Sequence, residues 1–181
     1  MEILPTRLAG AFEIRLQVHG DARGQFKRHF CARRFAEAGL VTEFVQMNHS
    51  ISLGQGTLRG LHYQLQHSAE AKLVSCTYGR VFDVAVDLRP ASPTFLQWQA
   101  LELDQGNAFY IPPGCAHGFQ CLTDEAHIVY LLSAFYDPER ERGMRHDDPR
   151  LGIAWPLPAI NLSDRDRVFA DIGDDFEGVL L

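Results

Sequence analysis

The 181-residue sequence predicts a mainly β protein, a single domain spanning residues 1–181 whose strands form a sandwich or barrel. Three observations carry this expectation. Apolar residues either alternate with polar ones or gather in short runs of strand length rich in Val, Ile and aromatics. Glycine- and proline-bearing turns punctuate those runs at short intervals. Only two segments have a helical composition, and no repeat, low-complexity tract or linker divides the chain.

In chain order, Phe12 to Val18 alternates as a half-buried strand, and His19 to Gly24 supplies a loop. Ala32 to Ala38 carries helix formers and stops at Gly39, a residue suited to a left-handed cap. Phe44-Val45, Lys72 to Cys76, Val81 to Leu88, Trp98 to Leu103, Phe109 to Ile111 and Ile128 to Leu132 are further β-type runs. Tyr78-Gly79-Arg80 reads as a hairpin connection between two of them. Ser163-Asp164-Arg165-Asp166 fits a capping box that opens a short second helix.

With 46% hydrophobic and 22% charged residues, the composition is that of an ordinary soluble domain. A formal charge of −6 argues against nonspecific nucleic-acid binding, which needs a broad basic surface, but a few converging arginines could still bind an anionic small ligand. The amino-terminal residues do not resemble a targeting signal, and no window approaches eighteen uninterrupted apolar residues, so a cytoplasmic location without membrane association is expected. Cys31, Cys76, Cys115 and Cys121 form no C-x-x-C pair and are expected to be reduced, with Cys76 and Cys121 packing as small hydrophobes.

Two segments add a motif to the β pattern. In Gly56-Thr57-Leu58-Arg59-Gly60-Leu61-His62-Tyr63-Gln64, five residues separate the first glycine from His62, and Gln64 follows one residue later. In Gly106 to His117, five residues lead to Pro112, one more to Gly114, and two more to His117. These spacings resemble the two motifs of the cupin family and imply a cupin jelly-roll β-barrel with short peripheral helices. The cupin pattern normally places a second histidine where this chain has Gln64. His62, His117 and a displaced Glu70 would make a poor metal shell, so neither metal nor cofactor is expected.

Without a metal, proton chemistry falls to side chains. His62 has an unperturbed pKa near the working range of a general base. Such a base needs an orienting carboxylate, an electrophile for the developing charge, and an acid on the opposite face. Asp83, Asp87 and Asp166 are candidates for the first, Lys72 for the second, and Tyr130 or Tyr136 for the third. Structural readings compete: a satisfied core histidine at 62, a helix cap at 166, an edge charge at 72 and core packing at 130. Arg59, within an apolar strand, must find an anion or a carboxylate if it faces inward.

Taken together, Gly20-Asp21-Ala22-Arg23-Gly24, Phe44 to Ser50, Leu58 to Gln64, Val81 to Arg89, Ile111 to Gly114 with Ala116 to Phe119, and Leu162 to Asp166 resemble the dTDP-4-dehydrorhamnose 3,5-epimerase family. The resemblance covers nearly the whole chain, from about Leu8 to Asp166. It implies a homodimer acting without metal or organic cofactor on a nucleotide-linked 4-keto-6-deoxyhexose. It makes His62 the base, Asp166 its orienting partner with Asp83 able to share that role, Tyr130 the proton donor, and Lys72 the group that stabilises the enolate oxygen. Nucleotide and phosphate contacts fall on Arg23, Gln46, Asn48, Arg59, His117, Glu141 and Arg165, with Tyr136 stacking on the base. The segment around Arg23 would complete the neighbouring subunit's site.

The chain also departs from the family pattern. Arg28 stands in place of a nucleotide-contacting glutamate, and Met47 interrupts the usual Gln-Asp-Asn. His19, Leu131 and His146 replace a frequent aromatic, lysine and tryptophan, while Arg165 replaces a lysine and keeps its charge. These departures place the choice of nucleotide around Arg28 and Met47. They leave open a mono-epimerase at C3 or C5, and a non-catalytic sugar-nucleotide-binding cupin.

Overall fold

A computed structural model describes residues 1–181. The strands are β1 (Glu2–Pro5), β2 (Phe12–Arg15), β3 (Val18–Asp21), β4 (Gly24–Lys27), β5 (Gln46–Leu53), β6 (Leu58–Gln64), β7 (Lys72–Tyr78), β8 (Val81–Asp87), β9 (Trp98–Leu103), β10 (Asn107–Ile111), β11 (Cys115–Cys121), β12 (Glu125–Leu132) and β13 (Glu141–Gly143). Helix α1 covers Ala32–Glu37 and α2 covers Asp164–Arg167. One sheet runs β1-β2-β10-β7-β12-β5 and the other β13-β6-β11-β8-β9. Facing each other, they form the expected jelly roll as a sandwich that does not close into a continuous barrel.

The period-two alternation of each strand assigns its side chains to the interior or to an outer face. Val74, Cys76, Phe109, Ile111, Ala126 and Ile128 from the six-stranded sheet meet Val81, Ala85, Leu103, Cys115, Phe119 and Cys121 from the five-stranded sheet. Outside the five-stranded sheet, Leu61, Tyr63, Val84 and Val86 are covered by Met144, Leu151, Ile172 and Val179 from the carboxyl-terminal segment. Outside the six-stranded sheet, Ile14, Leu73, Ala108 and Tyr110 pack against Phe35 of α1. That cover does not reach β5, which ends its sheet and leaves Met47, Ile51 and Leu53 exposed.

Four local expectations require correction. Phe44 and Val45 lie just before β5 and are not in a strand. The expected loop over His19 to Gly24 belongs instead to the β3–β4 hairpin, and β2 stops at Arg15. Tyr78-Gly79-Arg80 is not a hairpin connection, because β7 and β8 belong to different sheets. Local turn signals are the same whether a chain reverses beside itself or crosses to a facing sheet. The helices agree with the sequence: Gly39 follows α1 with a φ of +70°, and Ser163 Oγ accepts the Asp166 N–H at 3.0 Å. Cys76 and Cys121 are buried and free, and burial pushes the Cys76 thiol up to about 11.

Asp87, one of the three candidate orienting carboxylates, has a structural task instead. It is fully buried at the end of β8 and accepts hydrogen bonds from Arg89 Nε at 2.8 Å, Arg89 N at 3.0 Å and Thr94 Oγ1 at 2.6 Å. Burial by itself would raise this carboxyl, but the donors from Arg89, Ser92 and Thr94 hold it below the usual carboxylate value. A depressed folded-state pKa adds stability above the unfolded value near 4 and loses it as pH falls through the folded value. Asp87→Asn should therefore lower stability at pH 7 by about 2–4 kcal/mol. Its deficit in thermal melting should shrink below about pH 4.

Candidate active site

Between the sheets lies a cavity of about 680 Å3, within the size range of small-molecule sites. Inward-facing positions of five strands supply much of its wall: Gln46 and Asn48 from β5, Arg59, His62 and Gln64 from β6, Lys72 from β7, His117 from β11, and Tyr130 from β12. Tyr136, Glu141 from β13, and Arg165 and Asp166 from α2 complete it. Most of the sequence-predicted residues therefore converge on one site. His62 and His117 stand on the five-stranded sheet, while Lys72 and Tyr130 stand on the six-stranded sheet.

His62 Nε2 lies 2.7 Å from Asp166 Oδ1, joining residues 104 positions apart. Asp166 is buried, and its second oxygen accepts the Gly60 N–H at 3.4 Å. Burial acts to raise the Asp166 carboxyl, but His62, Gly60 and Ser163 together hold it below the usual carboxylate value. It therefore remains an acceptor toward the imidazole, which can hold Nδ1 unprotonated and fit to take a proton. Asp166 is both the third residue of α2, where its N–H is capped, and the partner of His62, so the capping reading and the catalytic reading describe different atoms of one residue.

Close strand approach makes this geometry reachable. Gly60 has a φ of +114°, and a Cβ there would lie 2.6 Å from Gly118 Cα and 2.7 Å from the His117 carbonyl oxygen. The β6–β11 ladder shifts register between His117 and Phe119, on either side of Gly118, and His62 and His117 are direct cross-strand partners. A similar constraint acts at Gly143, where any Cβ would overlap the Phe169 ring. That ring meets His62 edge-on at 6.0 Å between centroids and lies beneath the Arg165 guanidinium at 5.6 Å.

Lys72 is buried, pairs with Glu70 Oε1 at 3.2 Å and donates to the His62 carbonyl oxygen at 3.3 Å. Glu70 therefore supplies a counter-ion. Gln64 donates to Glu70 Oε2 at 2.9 Å and to the Ser68 carbonyl at 2.8 Å, while accepting the Asp137 N–H at 2.7 Å. No group of three or more His, Cys, Asp or Glu is arranged to hold a metal ion. At the mouth, Glu141 accepts from Tyr136 Oη at 2.7 Å and from Arg165 at 2.6 Å. Burial acts to raise the Glu141 carboxyl, but these two donors hold it low, and the same contact raises the Tyr136 hydroxyl.

Asp83 does not reach His62. It lies fully buried on β8 and meets His117 Nε2 at 2.7 Å, so the carboxylate in contact with His62 is that of Asp166. Arg23 sits at the tip of the exposed β3–β4 hairpin, bonded to Asp21, and Arg28 lines a separate cavity with His19, Phe26 and Arg34. Neither reaches the main cavity within the same chain. Met47 points out of the sandwich, opposite Gln46 and Asn48, and so faces away from that cavity. Sequence reasoning missed the Lys72 counter-ion role of Glu70, the Ser52 hydroxyl that anchors Arg59 Nε at 2.9 Å, and the Phe169 wall. Each is a cross-element contact without a local motif.

Comparison with known proteins gives the same picture. The family model for dTDP-4-dehydrorhamnose 3,5-epimerase matches residues 5–174. A dTDP-4-dehydrorhamnose 3,5-epimerase from Shigella flexneri is 46% identical over 169 residues, covering 92% of this chain and 93% of its own. One from Pseudomonas aeruginosa is 48% identical over 162 residues, covering 86% and 88%. The crystal structure of a dTDP-6-deoxy-D-glucose-3,5-epimerase from Legionella pneumophila in complex with dTDP-4-keto-L-rhamnose superposes with a TM-score of 0.87 at 43% identity, covering 92% of this chain and 89% of that one. The chain, with its cavity between facing sheets and its His62–Asp166 pair, belongs to the dTDP-4-dehydrorhamnose 3,5-epimerase family of isomerases.

Proposed function

We propose that the protein epimerises a nucleoside-diphosphate 4-keto-6-deoxyhexose, dTDP-4-dehydro-6-deoxyglucose, at C3 and C5. The observation that carries this reading is His62 on one sheet, paired with Asp166 of α2, with Tyr130 on the facing sheet across the cavity. The C4 ketone acidifies the protons on C3 and C5. His62 takes one of them, the charge moves onto O4 as an enolate, and Tyr130 returns a proton from the opposite face, which inverts the centre. Lys72 supplies the positive charge for O4. Gln46, Asn48, Arg59, His117, Glu141 and Arg165 bind the nucleotide and its phosphates, and Tyr136 stacks on the base.

The working unit in this proposal is a cytoplasmic homodimer of one-domain chains. Two surfaces support pairing. Met47, Ile51 and Leu53 of the edge strand β5, with Val45 just before it, form an exposed apolar stripe, the type of surface that soluble proteins cover. The β3–β4 hairpin carries Phe26, 64% exposed, and Arg23, and a lone two-stranded hairpin is marginal without a partner to pack on. A second copy covering the stripe and receiving the hairpin would bring Arg23 and Arg28 to the neighbouring site. Met47 then acts in pairing rather than in choosing the nucleotide.

Incubation with dTDP-4-dehydro-6-deoxyglucose in heavy water should place deuterium at both C3 and C5. Uptake at one carbon would identify a mono-epimerase, and none at either would overturn the reading in favour of a silent binding protein. His62→Asn should lower kcat by about 10²–10⁴-fold. Sedimentation should give twice the mass of one chain, and Arg23→Ala should raise KM without dissociating the dimer; a monomer with full activity would refute the shared site.

A further inference from the structure

The cavity wall holds a second histidine–aspartate pair that proton abstraction does not use. His117 is the cross-strand partner of His62, and it has its own buried carboxylate, Asp83, at 2.7 Å from Nε2. The two pairs differ in surroundings. The His62 side chain is 31% exposed, whereas that of His117 is 9% exposed. Both Asp166 oxygens have partners, but Asp83 is 0% exposed and its Oδ2 makes no hydrogen bond.

A buried carboxylate with an unpaired oxygen is costly in a folded protein and calls for an explanation. Burial pushes the Asp83 carboxyl up, and the charges of His117 and Lys72 oppose that shift. In its ionised form Asp83 only accepts hydrogen bonds, and His117 Nε2 then carries the proton directed at it. That leaves Nδ1, which has no protein partner, as the ring atom available to the cavity that His117 lines. Arg59, on the strand paired with β11, also lines the cavity, and its terminal nitrogens have no protein partner. Lys72, by contrast, is occupied by Glu70.

We propose that Asp83 is a positioning residue that accepts the His117 Nε2–H and keeps Nδ1 turned into the cavity, where the ring, protonated on both nitrogens when substrate is bound, donates its Nδ1–H beside Arg59 to a phosphate oxygen. The two neighbouring pairs thus divide the work. The open one moves the proton, and the closed one holds an anion at a fixed distance from it. This assignment rests on the epimerase reading for the identity of the anion as a nucleoside diphosphate, but the geometry of the pair stands apart from it.

The test compares binding with turnover. Asp83→Asn, which keeps the shape and removes the charge, should weaken dTDP binding in calorimetry by about 10–100-fold and leave thymidine binding unchanged. In steady-state assays KM should rise by a similar factor while kcat stays within about threefold. A fall in kcat with dTDP affinity intact would overturn the proposal and return Asp83 to the proton-transfer step, and unchanged binding and kinetics would also overturn it. The calorimetric arm needs no turnover, so it reads the proposal even if the epimerase reading fails. Should the variant not fold, nitrogen-15 NMR of the wild-type protein decides the matter. His117 Nε2 should carry a proton throughout and Nδ1 should carry one as well once dTDP is added, whereas a bare Nε2, or an Nδ1 still unprotonated with dTDP bound, would refute it.

Discussion

The site depends on one contact, the 2.7 Å approach of Asp166 to His62. It ties a four-residue helix near the carboxyl terminus to the middle of β6 and sets which imidazole nitrogen faces the cavity. The contact exists because the backbone comes unusually close on one side of it. At Gly60 and Gly118 the β6 and β11 chains meet at distances that no side chain permits, and the register shift there turns the Gly60 N–H toward Asp166. Packing that would look like a defect in a regular ladder is what directs a donor at the carboxylate. Strand irregularities next to active sites commonly serve to re-aim a group in this way.

A two-sheet sandwich also suits the chemistry in its layout. Inverting a carbon requires a proton to leave one face and return to the other, so base and acid must approach from opposite directions. Here His62 stands on one sheet and Tyr130 on the facing one, and the substrate cavity lies between. Lys72 reaches across from the second sheet to the His62 carbonyl, which holds the cation close to the imidazole without pairing with it. Glu70 neutralises that buried cation and limits the cost of keeping it there.

Residues that fill the metal positions in other cupins have been put to different uses in this chain. Gln64 joins Glu70, Ser68 and Asp137 in a hydrogen-bond cluster that fastens the strand below His62. His117 is turned toward Asp83. The geometry of the two motif segments therefore supports a site made of side chains, with Gln64 and His117 each engaged by a neighbouring side chain.

Period-two alternation, the glycine and proline spacing of the two motif segments and the Ser163 cap were legible in the sequence, because each depends on residues a few positions apart. They determined the β class, the lone His62 and the short helix that carries Asp166. Which carboxylate reaches His62 was not legible: Asp83, Asp87 and Asp166 are equivalent as residue types, and only the folding of β8, β11 and α2 around the cavity separates them. Asp87 went to Arg89, Asp83 to His117 and Asp166 to His62. The turn at Tyr78 to Arg80 was misread for the same reason, since a crossover between sheets and a hairpin share their local signals. Sequence alone thus determined the chemical inventory and the strand pattern, while the tertiary structure decided which carboxylate meets each histidine, because the Asp83–His117 and Asp166–His62 contacts join residues 34 and 104 positions apart whose meeting is a property of sheet order.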